Sequence, residues 1–119
     1  MKPALVIRST HTYPVYIEED ILSDVEFLSS LFKKSARLVI ITDTTVYRYY
    51  GQMLEQALSV HKPLVLSFEP GDANKTRETK AMLEDRMLAN GINRDACILA
   101  VGGGVVSDMA GFVAATYCR

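Results

Sequence analysis

Residues 99–112 read LAVGGGVVSDMAGF: an apolar run, three consecutive glycines, then a segment with the composition of a helix start. Surrendering three side chains in a row has two physical readings. One is a tight turn that only an unhindered backbone can make. The other is a cradle in which a phosphate approaches bare peptide N–H groups at a helix N-terminus, where the aligned peptides present about half a positive charge. The neighbouring sequence bears on the choice.

Upstream, the chain alternates strand and helix patterns. RLVIITD (37–43), PLVLSFE (63–69) and ACILAVGGG (96–104) are apolar runs, the first of them largely β-branched, of the kind covered on both faces of a sheet. Between them lie a helical stretch with Met53, Leu54, Ala57 and Leu58 apolar, and NKTRETKAMLEDRMLANG (74–91), a helix ended by Asn90 and Gly91. A last helix is expected to start near Ser107, with Asp108 in its first turn. Three strand–helix alternations with short connections predict an α/β fold, a Rossmann-like parallel sheet with flanking helices. Ahead of it, PALVIRS (3–9) and the alternating YPVYIEE (13–19) predict an N-terminal strand pair. Ser23 and Glu26 form a capping-box pattern, with Leu22 and Phe27 as a hydrophobic staple and Val25, Leu28 and Phe32 as the buried face of a short helix.

Composition narrows the function classes. The chain has 119 residues, 49% of them hydrophobic and 23% charged, enough for one ordinary globular domain. Thirteen basic and 14 acidic residues leave a net charge of −1, with no basic field to select nucleic acid or anionic lipid. No apolar run has the length of a membrane span, and the opening MKPALVIRST is too short in its apolar part for a signal peptide, so a cytoplasmic location is expected. Cys97 and Cys118 are expected as packed, reduced thiols. His11 and His61 are isolated, and neither sits at a spacing that makes a metal pair with another ligand, so no metal site is expected within these residues.

The glycines do not complete the usual dinucleotide fingerprint. Gly102 and Gly104 supply G-x-G, but the third glycine of G-x-G-x-x-G falls on Ser107, and the run follows the third parallel strand instead of the first. Other strand ends carry polar groups that converge on the same sheet edge. Asp43 closes RLVIITD, either as a cap for the following helix or as an acceptor for ribose hydroxyls. EPGDANK (69–75) offers Asp72, Asn74 and Lys75, either as a solvated capping loop or as a clamp on ribose and phosphate. Carboxyl ends of parallel strands are where open α/β sheets bind ligands.

Taken together, EPGDANK and AVGGGVVSDMAGFVAATYCR (100–119) resemble the N-terminal, nucleotide-binding domain of the 3-dehydroquinate synthases, in which a P/D-G-E-x-x-K loop precedes GGGVxGDxxGFxAAxxxR by a similar interval. The spacing of Asp108, Gly111, Phe112 and Arg119 is unbroken; Asp72 stands where the family has glutamate and Ser107 where it has glycine. The resemblance implies that residues 1–119 are an NAD-binding N-terminal domain, with the cofactor held by Asp43, Gly71, Asp72, Asn74, Lys75, Gly103, Gly104, Val105, Ser107 and Asp108. It implies substrate contact at Arg119, through bidentate guanidinium binding of a phosphate. The family acts on a seven-carbon sugar phosphate of the shikimate pathway, 3-deoxy-D-arabino-heptulosonate 7-phosphate. It releases phosphate, uses recycled NAD and a divalent metal, zinc or cobalt, and works as a homodimer. The family's metal ligands lie in a second domain beyond Arg119, so residues 1–119 alone are expected to be inactive. Another sugar phosphate cyclase, a metal-dependent alcohol or glycerol dehydrogenase, and a nucleotide-binding domain without catalysis are the alternatives.

Overall fold

The computed structural model describes residues 1–33 and 36–117 and divides the chain into two compact units, residues 1–32 and 33–119. In the first unit, β1 (Leu5–Arg8) and β2 (Thr12–Val15) pair antiparallel, with Ile7 opposite Tyr13 and Val6 opposite Pro14. The strand pair read from the sequence is therefore present. A short helix, α1 (Val25–Ser30), follows, and Phe27 meets Tyr16 edge-on with ring centroids 4.8 Å apart. Its cap differs from the capping-box expectation. The Asp24 carboxylate, not Ser23, accepts from the Phe27 N–H at 3.0 Å, because Ile21–Ser23 already form a 3₁₀ turn that uses Ser23 as its last residue. Leu28 is buried as expected, whereas Val25 is exposed.

The second unit is built on β3 (Leu38–Asp43), β4 (Leu64–Phe68) and β5 (Cys97–Val101), all parallel, in the order β4-β3-β5. Central β3 is the LVIITD run, and Leu38 through Thr42 are buried, which is why it reads as continuous apolar sequence without alternation. Val39 and Ile41 join one core cluster with Leu66, Phe68, Leu83, Met87, Val106, Met109, Ala110 and Val113. Those last six come from α4 (Arg77–Ala89) and α5 (Gly104–Thr116), which cover one face of the sheet, together with the strand they flank. Leu38 and Ile40 alternate to the opposite face. There β3 touches a continuous helical line: α2 (Thr44–Val46), a π-helical turn over Tyr47–Gly51 that the sequence did not announce, and α3 (Gln52–Ala57). Leu54 is buried as expected and Met53 is not.

Helix boundaries follow local chemistry. Thr76 caps α4 by accepting from the Thr79 N–H, and the helix closes at Asn90 with Gly91 in a left-handed conformation (φ +70°), as the sequence indicates. The last helix starts at Gly104, three residues before the expected Ser107. Gly104 takes helical dihedrals without hindrance, and Ser107 lies inside the first turn, with both its N–H and its hydroxyl bonded back to the Gly103 carbonyl. Asp108 consequently stands at the start of the second turn. Edge strand β5 is only half-buried, including Cys97, so the third strand is less covered than its sequence suggests.

Candidate functional site

Parallel register brings the expected residues to one edge. Asp43 lies opposite Phe68, and Thr42 lies opposite both Ser67 and Val101, so the connections leaving β3, β4 and β5 begin side by side. Asp43 caps α2: its Oδ1 accepts from the Val46 N–H at 2.8 Å, leaving Oδ2 without a role in that cap. After β4, Gly71 turns the chain with φ +108°, and Asp72–Asn74 form a 3₁₀ turn. Asn74 faces inward on this turn, its amide donating to the Pro70 carbonyl at 3.1 Å. Lys75 instead reaches across to α5, where its ammonium pairs with Asp108 Oδ2 at 2.8 Å. The hydrogen bond and charge of Asp108, assisted by nearby Asp72, raise the Lys75 pKa above the usual lysine value.

The three glycines separate by function once their surroundings are known. At Gly102, φ is +155° and an added Cβ would lie 2.6 Å from Val106 Cγ2, a buried core atom. Packing alone requires that glycine. At Gly103 and Gly104 an added Cβ would meet nothing within 4 Å, and neither residue has a positive φ. Their bareness leaves open space directly before α5. Among the longer helices, α4 has a side-chain cap but α5 has none, since Gly103 occupies its cap position. The first N–H groups of α5 thus lack intrahelical partners and point toward that space. Val105 presents only backbone here, because its side chain packs against the core. Ser107 turns its hydroxyl onto its own helix. Close packing therefore accounts for Gly102, while Gly103 and Gly104 border the open space that the cradle reading requires.

Beside the ion pair, Lys75, Thr76, Arg77, Asp108, Met109 and Phe112 line a shallow pocket of about 180 Å³. Phe112 is exposed on its rim, and the Lys80 ammonium lies 4.7 Å from its ring centroid. The sequence motif contains Phe112, but only the fold places it beside Lys75. Thr42 is a buried polar side chain that the sequence did not single out. Arg119 and Cys118 lie outside the described residues. The last helix ends at Thr116, and Tyr117 takes an extended backbone. Among the described residues no group of three or more His, Cys, Asp or Glu side chains could hold a metal ion, so zinc or cobalt does not fit this part of the molecule.

Comparison with known proteins bears on what such an edge is for. Residues 65–119 match the model of the 3-dehydroquinate synthase N-terminal family. A 3-dehydroquinate synthase from Bacillus pumilus (strain SAFR-032) is 40% identical over 124 aligned residues, which cover 100% of this chain and 33% of that protein. The pentafunctional AROM polypeptide of Kluyveromyces lactis is 47% identical over 92 residues, 72% of this chain and 6% of that one. The chain thus spans a third or less of the length of these relatives. Among solved structures, 2-deoxy-scyllo-inosose synthase complexed with carbaglucose-6-phosphate, NAD+ and Co2+ superposes with a TM-score of 0.78 at 25% identity, over 93% of this chain and 30% of that one. The 2-epi-5-epi-valiolone synthase of Streptomyces hygroscopicus subsp. jinggangensis 5008, with NAD+ and Zn2+ bound, superposes at 0.73 with 30% identity, over 95% of this chain and 31% of that one. The fold is that of the sugar phosphate cyclases. Within it, residues 65–119 match the N-terminal region of the 3-dehydroquinate synthase family, and the chain as a whole is similar to a 3-dehydroquinate synthase.

Proposed function

We propose that residues 1–119 are the NAD-binding N-terminal domain of a 3-dehydroquinate synthase, which converts 3-deoxy-D-arabino-heptulosonate 7-phosphate into 3-dehydroquinate and phosphate. The observation that carries this reading is the uncapped start of α5 at Gly103 and Gly104, open on the ligand side, with the Lys75–Asp108 pair one turn further along. Backbone N–H groups of Gly104 and Val105 hold the cofactor's pyrophosphate, and Lys75 adds a cation to it. Asp43, through Oδ2, and Asp72 accept from ribose hydroxyls, while Gly71 and Asn74 shape the turn that presents Asp72 and Lys75. Asp108 orients Lys75, and Ser107 contributes its backbone position in the first turn of α5. Bound NAD supplies a reversible oxidation of a ring hydroxyl, which acidifies the neighbouring C–H ahead of phosphate loss.

Substrate phosphate is assigned to Arg119, whose guanidinium suits bidentate contact. The metal is assigned, by the family resemblance, to side chains of a second domain. We further assign the protein to the cytoplasm and to a homodimer. Among the described residues no helix is long and apolar enough to cross a membrane. A cyclase acting on a different sugar phosphate is the second reading, favoured by the fold likeness to 2-deoxy-scyllo-inosose synthase.

Phosphate release from the seven-carbon substrate, measured in the whole protein that carries this chain with NAD and zinc supplied, tests the reaction. Release is expected from the whole protein and none from residues 1–119 alone. Turnover by the 119-residue chain would place the chemistry elsewhere, and turnover of a different sugar phosphate in preference would favour the second reading.

A further inference from the structure

Thr42 is fully buried in β3, and its hydroxyl donates to the Val101 carbonyl at 2.6 Å. Thr42 and Val101 are also the last facing pair of β3 and β5. This side-chain bond therefore sits where the backbone ladder stops and the chain turns into Gly102. A valine would fill the same volume in the covered LVIITD run without a hydroxyl to satisfy. Burying an unbonded hydroxyl is costly, so the polar residue is tolerated here through this one bond.

The bond fixes the direction of the Val101 carbonyl, and with it the peptide plane that feeds Gly102. Gly102 follows at φ +155°, where Val106 leaves no space for a side chain. Any rotation at Val101 is thus passed to Gly103 and Gly104, the bare positions before α5. The next residue along β3, Asp43, caps α2, so two adjacent polar side chains of one strand govern two neighbouring strand-end connections.

We propose that Thr42 is a positioning residue for the glycine loop, acting through the Val101 carbonyl to hold Gly103 and Gly104 where they receive the nucleotide phosphates. The phosphate role rests on the NAD reading above; the control of loop geometry does not. Thr42 itself touches no ligand.

The test compares Thr42→Val and Thr42→Ser with the parent, in the protein carrying this chain and labelled with isotopic glycine. Without ligand, Thr42→Val should shift the amide resonances of Gly102, Gly103 and Gly104 while those of Gly51 and Gly91 stay in place, and Thr42→Ser should restore the parent positions. NAD+ affinity by titration calorimetry should fall about tenfold in Thr42→Val, the scale of one hydrogen bond, and return in Thr42→Ser. Unmoved loop resonances in Thr42→Val would overturn the proposal, as would shifts spread evenly over all glycines with no rescue by serine. If Thr42→Val fails to fold, Thr42→Ala carries the same comparison. Moved loop resonances combined with NAD+ binding indifferent to Gly103→Ala and Asp108→Ala would instead overturn the NAD reading and leave Thr42's control of the loop standing.

Discussion

The Lys75 ammonium lies 2.8 Å from Asp108 Oδ2 and ties the loop after β4 to the second turn of α5 across 33 residues of sequence. Both side chains are exposed, 45% and 59%, so the pair contributes little to folding and is free to exchange partners with an incoming anion. Its geometry defines the rim of the proposed cofactor site.

Lys75→Ala and Asp108→Ala should therefore leave the thermal midpoint nearly unchanged while each weakens NAD+ binding about tenfold, as expected for the loss of a charge-assisted hydrogen bond. The Lys75 pKa is raised by its bond to Asp108, so the paired, charged form is fully present below the ordinary lysine value of 10.5 and is lost only as pH rises through the higher folded value. NAD+ affinity in the parent should accordingly be flat between about pH 7 and pH 9, where an unperturbed lysine is also charged. A decline within that window, absent in Lys75→Ala, would assign the titration wrongly; calorimetry across the range measures it.

Alanine at the glycines should separate packing from binding. Gly102→Ala drives a Cβ to 2.6 Å from Val106 Cγ2 and should cost about 1–3 kcal/mol in urea denaturation, in the manner of other overpacked sites. Gly103→Ala meets no protein atom within 4 Å and should retain parental stability while losing NAD+ affinity. Equal stability losses at both positions would remove the distinction.

Capping of α1 offers a test confined to the first unit. Asp24→Ala should cost about 1 kcal/mol there and raise amide exchange at Phe27, whose N–H loses its acceptor, whereas Ser23→Ala should do neither. Hydrogen exchange read at Phe27 decides between the two residues.

Burial raises the Cys97 thiol above its ordinary pKa, which lowers its thiolate fraction at any given pH. Alkylation by iodoacetamide, followed by mass spectrometry on the peptide containing Cys97, should be slower in the folded chain than in urea and should reach half its limiting rate at higher pH. Faster modification in the folded state would show an activated thiol instead.

Sequence alone determined the parallel three-strand core, because LVIITD, LVLSF and CILAV are short apolar runs that alternate with helical patterns, one of which carries its own stop signal at Asn90 and Gly91. It also singled out Lys75, Asp108 and the glycine run, since chemistry at strand ends depends on residue type and order. The tertiary structure decided what sequence patterns leave degenerate. Ser23 and Asp24 are both competent caps, and the choice fell to Asp24 because a preceding 3₁₀ turn consumed Ser23. Three identical glycines became one packing residue and two open ones only when Val106 was folded against Gly102. Thr42 looked like one more β-branched residue in an apolar strand, and its hydroxyl acquired a partner only when β5, 59 residues later, was laid beside it. Local propensity depends on neighbours in the chain and can be read there. Such contacts depend on which atoms the sheet register brings within 3 Å of each other, and that is fixed only when the strands pair.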